Sequence, residues 1–382
     1  MKFISRRRVL SSLTATGALG LGSSIARGEE KPAQTASNPV IKVAGYDYDR
    51  CRAFIDGKVG IPGHDVRFSY EDIYSVNALA FGPKKTYEVT EMGLIPYINK
   101  FINDGFRDYT LIPVFISRIF RHRNVFVHAD SGIEKPEDLK GKRVGTPGYG
   151  MSANTWIRGF LLDEYGVKAD DFEWIETTKS SDKGALGGSG WMAFRDGKLG
   201  YYFPKGFPIR QGPAGMDESE LLLSGGCDAL ITAITPKAVL DGNPKVRPLF
   251  PDVRAAEQAY YKKTKMFPIM HVIAMRSDFV KANPELPAAV FRMYSAAKKA
   301  AYENLETTTS LRVTLPWLTQ ELEDTRRIMG DDYWRYGIEA NRKELEHVMR
   351  YMHEQHLVKE RIGFEELFHP STHKLTEQAK SK

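Results

Sequence analysis

The amino-acid sequence predicts an α/β fold with two mixed sheets, followed by a helical C-terminal tail. Short β-rich runs alternate with helical patterns along two successive stretches of the chain, which is typical of α/β proteins. From residue 284 to residue 357, apolar residues recur at helical spacing instead. A chain of 382 residues is long enough to form two units that each have their own core.

The charge balance argues against nucleic-acid binding. The formal net charge is +6, but Lys2 and the arginines at 6–8 supply four of the 54 basic residues. The rest of the chain has 50 basic against 48 acidic residues, so no broad basic surface is expected. The composition, 42% hydrophobic and 27% charged, is that of a soluble globular protein. We therefore expect no nucleic-acid partner.

Residues 1–26 have the pattern of an export signal. Residues 5–10 read SRRRVL, which resembles the twin-arginine consensus, and residues 9–25 are weakly apolar and rich in small residues. A membrane anchor is the alternative, but the apolar run is short and diluted by small polar residues. We expect the twin-arginine export machinery to carry the folded chain to the periplasm. Cleavage is expected near Ala26, with a disordered leader at 27–39.

The spacing of cysteine and histidine does not predict a metal site or a cofactor site. Cys51 and Cys227 lie far apart in the sequence and outside any CxxC pattern, and they do not predict a disulfide. His347, His353 and His356 share a predicted helix but form no i, i+4 pair, and no HExxH occurs. We expect neither a metal ion nor a cofactor.

Polar side chains follow the ends of two predicted strands in the first part of the chain. Tyr46, Asp47 and Arg50 follow the first strand, and Glu91 lies near the end of the third. Ligands collect at the carboxyl ends of strands in open α/β sheets, so these residues are candidate ligand contacts. Alternatively, Asp47 or Asp49 caps a helix and Arg50 is a surface residue.

The strands in the first part of the chain are predicted at residues 40–46, 65–70, 87–93, 111–115 and 124–128, with helices starting near residue 47 and spanning 95–103.

A basic cluster follows the predicted strand at 111–115. Ser117, Arg118, Arg121 and His122 come directly behind it. Arginine grips a carboxylate with two hydrogen bonds, so this cluster suits an acidic ligand. The alternative is a solvated basic turn.

A glycine-rich turn, GTPGYG at residues 145–150, connects a short strand to a helix that starts near Ser152 and ends at Gly166. Free backbone N–H groups and the positive end of the helix dipole meet at such a turn, and together they can hold a carboxylate. Ser152 adds a hydroxyl and Arg158 a fork of donors. The glycines do not match GxxxxGK[ST], which argues against a nucleotide phosphate site. An ordinary strand-to-helix turn is the alternative.

The remaining elements complete the second unit and the tail. A strand at 266–275 is interrupted by His271, which is either functional or a hydrogen-bonded histidine in a buried strand. Residues 179–203 are rich in Gly, Ser and Lys and predict a long loop or weak hairpin, either a lid or a decoration. Further strands are predicted at 143–146, 170–177 and 227–233, and further helices at 152–165, 219–224, 252–263, 284–305, 316–329 and 338–357.

Two motifs in the second unit resemble type 2 periplasmic binding proteins: EKPEDLKGKRVG at 134–145 and LSGGCDAL at 223–230. More narrowly, the chain is similar to the 4,5-dihydroxyphthalate decarboxylase-like branch of that superfamily. The likeness runs from about residue 41 to residue 368. The stretches that carry it are GYDYDR at 45–50, IPVFISRIFRH at 112–122, FPIMHV at 267–272 and MGDDYW at 329–334.

The resemblance implies two lobes joined by crossing strands near 125–128 and 268–275, with a ligand in the cleft between them. Lobe one is expected to comprise residues 40–127 plus 268–382, and lobe two residues 128–267. Tyr149 and Trp156 would stack on a planar ring. The residues expected to contact the ligand are Tyr46, Asp47, Arg50, Glu91, Ser117, Arg118, Arg121, Tyr149, Met151, Ser152 and Trp156.

Two functions follow from the resemblance. The first, favoured by the export signal, is a periplasmic solute-binding protein that delivers a small anionic, aromatic carboxylate to the permease of an ABC-type importer. The second is a metal-free decarboxylase of 4,5-dihydroxyphthalate or a similar hydroxylated aromatic acid. In the enzyme, His271 or His122 would donate the proton and Arg118 would hold a second carboxylate.

Overall fold

Two separate sheets organise the fold, as the sequence predicted. The computed structural model describes residues 38–180, 194–195, 198–199 and 201–377. The α/β class, the two mixed sheets and the helical C-terminal region are confirmed. The export signal and nearly all of the leader lie outside the described residues. No helix in the described part of the chain is long and apolar enough to cross a membrane.

The strands are Val40–Gly45 (β1), Asp65–Tyr70 (β2), Val89–Gly93 (β3), Tyr109–Arg118 (β4), Val125–His128 (β5), Arg143–Thr146 (β6), Glu173–Glu176 (β7), Phe194–Arg195 (β8), Lys198–Leu199 (β9), Ile209–Gln211 (β10), Ala229–Ile231 (β11), Val246–Pro248 (β12) and Ile269–Arg276 (β13). The helices are Asp49–Ile55 (α1), Ile73–Phe81 (α2), Leu94–Asn103 (α3), Ser152–Tyr165 (α4), Glu218–Leu223 (α5), Lys237–Leu240 (α6), Val253–Thr264 (α7), Ser277–Ala282 (α8), Leu286–Glu306 (α9), Leu318–Met329 (α10) and Arg342–Glu354 (α11).

The first sheet has five strands in the order β2-β1-β3-β13-β4. β1 is parallel to β2 and β3, whereas β13 is antiparallel to both β3 and β4. The carboxyl ends of β1, β2, β3 and β4 therefore meet the start of β13 at one edge of this sheet. β4 is longer than predicted, so that Ser117 and Arg118 belong to the strand itself.

The second sheet has six strands in the order β10-β7-β6-β11-β5-β12. Its central strands are parallel, and β5 runs antiparallel to β11 and β12. The glycine-rich turn at 145–150 follows β6 at the carboxyl edge. The short strands β8 and β9 pair with each other in an antiparallel hairpin, which agrees with the weak hairpin predicted within 179–203. The rest of that loop lies largely outside the described residues.

The chain passes from the first sheet to the second through residues 119–124 and returns through residues 265–268. Both passages lie close to the crossings predicted at 125–128 and 268–275. The predicted boundary between residues 127 and 128 falls inside β5, which pairs in the second sheet. The division into lobes at the given boundaries stays a prediction.

The C-terminal helices contact both sheets. α9 contributes Val290 and Phe291 to a buried cluster with Ile41 of β1 on the first sheet. α11 packs on α4 of the second unit, where the rings of Trp156 and Tyr351 meet edge to face with centroids 5.7 Å apart. The tail therefore holds the two parts of the protein together as well as covering one of them.

The prediction that Asp47 or Asp49 caps the first helix is wrong. The N-cap of α1 is Tyr48, without a side-chain cap, and Asp47 pairs with Arg52 instead. The next helix, α2, was not predicted, although its cap is strong. Asp72 accepts hydrogen bonds from the N–H groups of the residues two and three positions ahead, at 2.8 and 2.9 Å.

Candidate functional site

A histidine–carboxylate pair lies at the edge of the first sheet where the strands end. His271 Nδ1 is 2.5 Å from Oε1 of Glu91, although the two residues are 180 positions apart in the sequence. The Glu91 side chain is 2% exposed and that of His271 is 17% exposed. The carboxylate is therefore enclosed by protein, while the imidazole reaches solvent.

An irregularity in β13 explains why a histidine interrupts a buried strand. The register between β13 and β4 shifts on both sides of His271. Such a β-bulge re-aims a side chain at the edge of a sheet. In the pairing of β13 with its other neighbour, β3, His271 lies opposite Gly93 and Ile273 lies opposite Glu91. The histidine and the carboxylate are thus diagonal neighbours across two antiparallel strands, close enough for contact.

The remaining hydrogen-bond capacity of Glu91 is used by the segment that follows β1. Tyr48 donates its hydroxyl to Oε1 at 2.8 Å, and the backbone N–H of Tyr46 donates to Oε2 at 3.1 Å. The backbone approaches so closely that a Cβ atom on Gly45 would lie 2.8 Å from Oε2. A larger residue at position 45 would therefore displace the Glu91 carboxylate.

The tyrosines around Glu91 stay protonated at neutral pH. Burial, with the Glu91 charge nearby, raises the pKa of Tyr48 far above its ordinary value. Burial also raises the pKa of Tyr46 to about 12. Tyr48 is consequently a fixed donor to Glu91, and the carboxylate is held as an acceptor.

Aromatic rings form the exposed rim of the site. The Tyr46 ring lies nearly parallel to the His271 ring, with centroids 6.4 Å apart and planes 15° apart. Tyr70, 66% exposed at the end of β2, meets Tyr46 edge to face at 6.2 Å. These surfaces favour contact with a flat, aromatic molecule.

Arg50 supplies a positive charge beside this cluster. Its guanidinium lies 3.9 Å from the centre of the Tyr48 ring, and its Nε donates to the carbonyl oxygen of Ile116 at 2.7 Å. Its side chain is 13% exposed. The sequence-predicted residues Tyr46, Arg50, Glu91, Ser117 and His271 are thus brought together at one edge.

This arrangement can move a proton. Because the Glu91 carboxylate accepts from Nδ1, it fixes the tautomer and the orientation of the His271 ring. The tautomer is inferred from the partner, and it leaves Nε2 as the nitrogen that exchanges protons with a bound molecule. A carboxylate behind a histidine is a common arrangement in general acid–base catalysis.

Arg118 is fixed by protein partners rather than pointing a free fork of donors at a cavity. Its guanidinium donates to the carbonyl oxygens of Phe267 and Arg335, at 2.8 and 3.0 Å, and also to the Asn341 side chain. It lies 3.6 Å from the Glu344 carboxylate. Its ligand role stays a prediction, and the described contacts give it a structural one.

Arg121 and His122 are both buried in the passage between the sheets. Arg121 donates to Ala233 O at 3.1 Å and to Asn124 Oδ1 at 3.2 Å. The His122 ring stacks on Phe160 with centroids 4.2 Å apart, and burial lowers its pKa to about 4. In this environment His122 is neutral at pH 7, which argues against the proton-donor role considered for it.

The glycine-rich turn holds a carboxylate that belongs to the protein. The N–H of Tyr149 donates to Oε1 of Glu176 at 2.9 Å. The Tyr149 ring is covered by the Arg158 guanidinium, 3.8 Å from its centre, and Trp156 donates its indole N–H to Ile269 O at 2.8 Å. Tyr149 and Trp156 are both fully buried, so neither offers a free ring face here.

The predicted residues at the start of α4 connect the two sides of the molecule. Ser152 accepts a hydrogen bond from the N–H of Ile95 at 3.3 Å, which joins α4 to α3. Met151 packs against Tyr74 and Ala233. Asp47 is exposed in its ion pair with Arg52 and is not joined to the histidine cluster by a described contact.

Sequence reasoning missed two contributors, Tyr48 and Trp334. Both lie in stretches that carry the family resemblance, GYDYDR and MGDDYW, and that resemblance is the signal that could have identified them. Trp334 also packs against Arg50, with its ring centre 4.2 Å from the guanidinium carbon. Within the described residues, no group of three or more His, Cys, Asp or Glu side chains is arranged to hold a metal ion.

Comparison with known proteins points to one family. The chain is 36% identical over 332 residues to a 4,5-dihydroxyphthalate decarboxylase of Comamonas testosteroni, which covers 87% of this chain and 97% of that protein. A 4,5-dihydroxyphthalate decarboxylase of Pseudomonas putida is 34% identical over 222 residues, 58% of this chain and 81% of the relative. The resemblance predicted from the motifs is therefore confirmed.

Two further similarities are more distant. A family model described as NMT1/THI5 like matches residues 114–189. Among solved structures, the periplasmic aliphatic sulphonate binding protein SsuA from Escherichia coli has a TM-score of 0.49 and 13% identity, over 88% of this chain and 99% of that chain.

Proposed function

Because this chain belongs to the 4,5-dihydroxyphthalate decarboxylase family, we propose that it decarboxylates a hydroxylated aromatic acid. The observation that carries the proposal is the contact between His271 and Glu91 at 2.5 Å. The sequence alone favours the solute-binding protein over the enzyme. Because this pair lies beside aromatic rings and an arginine, decarboxylation is the function that the geometry supports best.

In the proposed reaction, His271 protonates the ring carbon that bears the carboxylate. A ring hydroxyl stabilises the cation that forms, and the bond to the carboxylate then breaks. Carbon dioxide leaves, and the electron pair of that bond restores the aromatic ring. His271 regains its proton from water. Glu91 holds the imidazole ring of His271 in position before and after the transfer.

Recognition of the substrate is assigned to the groups around the pair. Tyr46 and Tyr70 line the edge against the flat ring, and Arg50 binds a carboxylate through the terminal nitrogen of its guanidinium that has no acceptor among the described residues. Tyr48 is the second donor that keeps Glu91 in position.

The proposal is tested by calorimetry on protein that starts near residue 27. Titration with 4,5-dihydroxyphthalate is expected to give a sustained heat signal with loss of the substrate. His271→Asn should abolish turnover and retain binding. Glu91→Gln should lower kcat by about 10²- to 10⁴-fold. A saturating isotherm with a flat baseline for the unmodified protein would contradict catalysis on this acid.

One sequence observation supports a second function, a periplasmic solute-binding protein for an anionic aromatic carboxylate. Residues 5–10 resemble a twin-arginine signal, which suits a protein that hands its ligand to the permease of an ABC-type importer. Replacing Arg6 and Arg7 by lysine should stop export through the twin-arginine machinery. A normal periplasmic yield of that variant would argue against this route.

A further inference from the structure

We propose that Trp334 is a positioning residue that holds Arg50 in the orientation in which it binds the substrate carboxylate. The inference rests on the proposed function, since it concerns the same site. Trp334 lies far from Arg50 in the sequence, and the two meet only because the C-terminal region folds back onto the edge of the first sheet.

Arg50 packs against two aromatic rings. Its guanidinium carbon is 3.9 Å from the centre of the Tyr48 ring and 4.2 Å from that of Trp334. Nε donates to Ile116 O at 2.7 Å, and NH1 donates to the Asp49 carboxylate at 3.2 Å. The other terminal nitrogen has no acceptor among the residues that the structure describes. Two rings pack within 4.2 Å of the guanidinium carbon, and the free terminal nitrogen is the group left to donate to a carboxylate.

Three hydrogen bonds fix the position of Trp334. Its indole N–H donates to Phe115 O at 3.0 Å, and its backbone N–H donates to the Tyr302 hydroxyl at 3.0 Å. Its carbonyl oxygen accepts from Lys298 Nζ at 2.7 Å. The Phe267 ring meets it edge to face with centroids 5.3 Å apart. The indole plane is therefore set before any ligand binds.

Lys298 connects this tryptophan to the end of the described chain. Its ammonium is buried and uses all three of its donors, on Asp332 Oδ1 at 2.9 Å, Trp334 O at 2.7 Å and Glu377 Oε2 at 2.7 Å. Glu377 also accepts the N–H of Tyr336 at 2.8 Å. The positioning of Arg50 thus extends to a carboxylate near the C-terminus.

A guanidinium that is already oriented loses little freedom when it binds a carboxylate, which favours affinity. Removing the indole should therefore weaken ligand binding more than it slows proton transfer. Affinity is read most directly in a His271→Asn background, where ligand binds without turnover. Measured in this way, the result does not depend on whether the unmodified protein is a catalyst.

The experiment compares Trp334→Leu, Trp334→Tyr and the control Trp317→Leu. Trp317 is 68% exposed and has no described ring contact, so its replacement should leave the Kd for 4,5-dihydroxyphthalate unchanged. Trp334→Leu should raise Kd by about 3- to 30-fold, the range expected for one cation–π contact. Trp334→Tyr should restore much of the affinity. In catalysis, Trp334→Leu should raise KM and leave the pH profile of kcat unchanged.

Arg50→Lys separates positioning from a general loss of structure. If Trp334 acts through Arg50, then Trp334→Leu should add little to the Kd of an Arg50→Lys variant. Additive effects, or an unchanged Kd in folded Trp334→Leu, would overturn the proposal. If Trp334→Leu fails to fold, Glu377→Gln is the milder substitution and should raise Kd by about 2- to 5-fold through the same contacts. An unchanged Kd in Glu377→Gln would contradict the inference that Glu377 helps to position Arg50.

Discussion

The carboxylate of Glu176 accepts a hydrogen bond from the backbone N–H of Tyr149 at 2.9 Å. This contact lies at the glycine-rich turn, where the sequence predicts the binding of an external carboxylate. The turn does hold a carboxylate, and in this structure it is supplied by the neighbouring strand β7. Glu176 is fully buried, so the interaction is made in a poorly solvated environment.

Replacing Glu176 by glutamine should destabilise the protein. The substitution replaces a charged acceptor by a neutral amide and so weakens the hydrogen bond from Tyr149, and we expect the free energy of unfolding to fall by about 1–3 kcal/mol. Urea unfolding of the purified protein measures it. Glu173→Gln is the matched control, because Glu173 lies on the same strand with its side chain 42% exposed in a surface pair. Equal unfolding curves for the two variants would contradict the interpretation.

Replacing Arg118 by lysine should mainly reduce stability. Lysine keeps the positive charge but cannot reproduce the planar set of bonds to Phe267, Arg335 and Asn341. We expect the free energy of unfolding to fall by about 1–3 kcal/mol, as for lost hydrogen bonds of a charged group. Arg254→Lys, at an exposed pair, should change stability by less than about 1 kcal/mol. A lower ligand affinity with unchanged unfolding would instead favour the ligand role predicted from the sequence.

Local patterns predicted the fold well, and distant contacts limited the prediction of the site. Helix α4 begins at Ser152 and ends at Gly166, which adopts a φ of 63°, as the sequence indicated. Tyr46 and Arg50, which follow β1, do meet Glu91 of β3 at one sheet edge. The environment of Arg118 was not predictable in this way, because its Asn341 partner lies 223 residues away. The sequence alone does not reveal that distant residues already accept the hydrogen bonds of this guanidinium.

Protonation of His122 should make the protein sensitive to acid. Its pKa in the folded protein is about 4, below the ordinary value of 6.5. As the pH falls from about 6.5 to 4, the unfolded chain takes up a proton that the folded protein does not, and stability decreases. Between pH 7 and pH 4.5 this amounts to about 2 kcal/mol.

The variant His122→Phe measures this contribution. It keeps an aromatic ring against Phe160 and removes the titrating group. The loss of unfolding free energy between pH 7 and pH 4.5 should be about 2 kcal/mol smaller in the variant than in the unmodified protein. Urea unfolding at the two pH values provides the comparison. The same loss in both proteins would show that His122 is not the acid-sensitive group.

Replacing Gly159 by alanine should destabilise the protein even though alanine favours helices. A Cβ atom at this position of α4 would lie 2.3 Å from the Tyr351 ring. The forced shift of α11 should cost about 1–3 kcal/mol, which outweighs a gain of about 1 kcal/mol in helix propensity. Gly60→Ala, with open space around the new atom, should be nearly neutral. Thermal unfolding distinguishes the two, and stabilisation by Gly159→Ala would contradict the described packing.

The position of β13 in the first sheet has a consequence for the order in which the protein can assemble during synthesis. Every strand of the second sheet comes from the continuous segment between Val125 and Pro248, so that sheet can pair as soon as this segment has left the ribosome. The first sheet has β13 between β3 and β4 and must wait until residue 276 has emerged. Glu91 therefore remains without its histidine through most of translation, and a nascent chain that stops before β13 carries half of the proton-transfer pair.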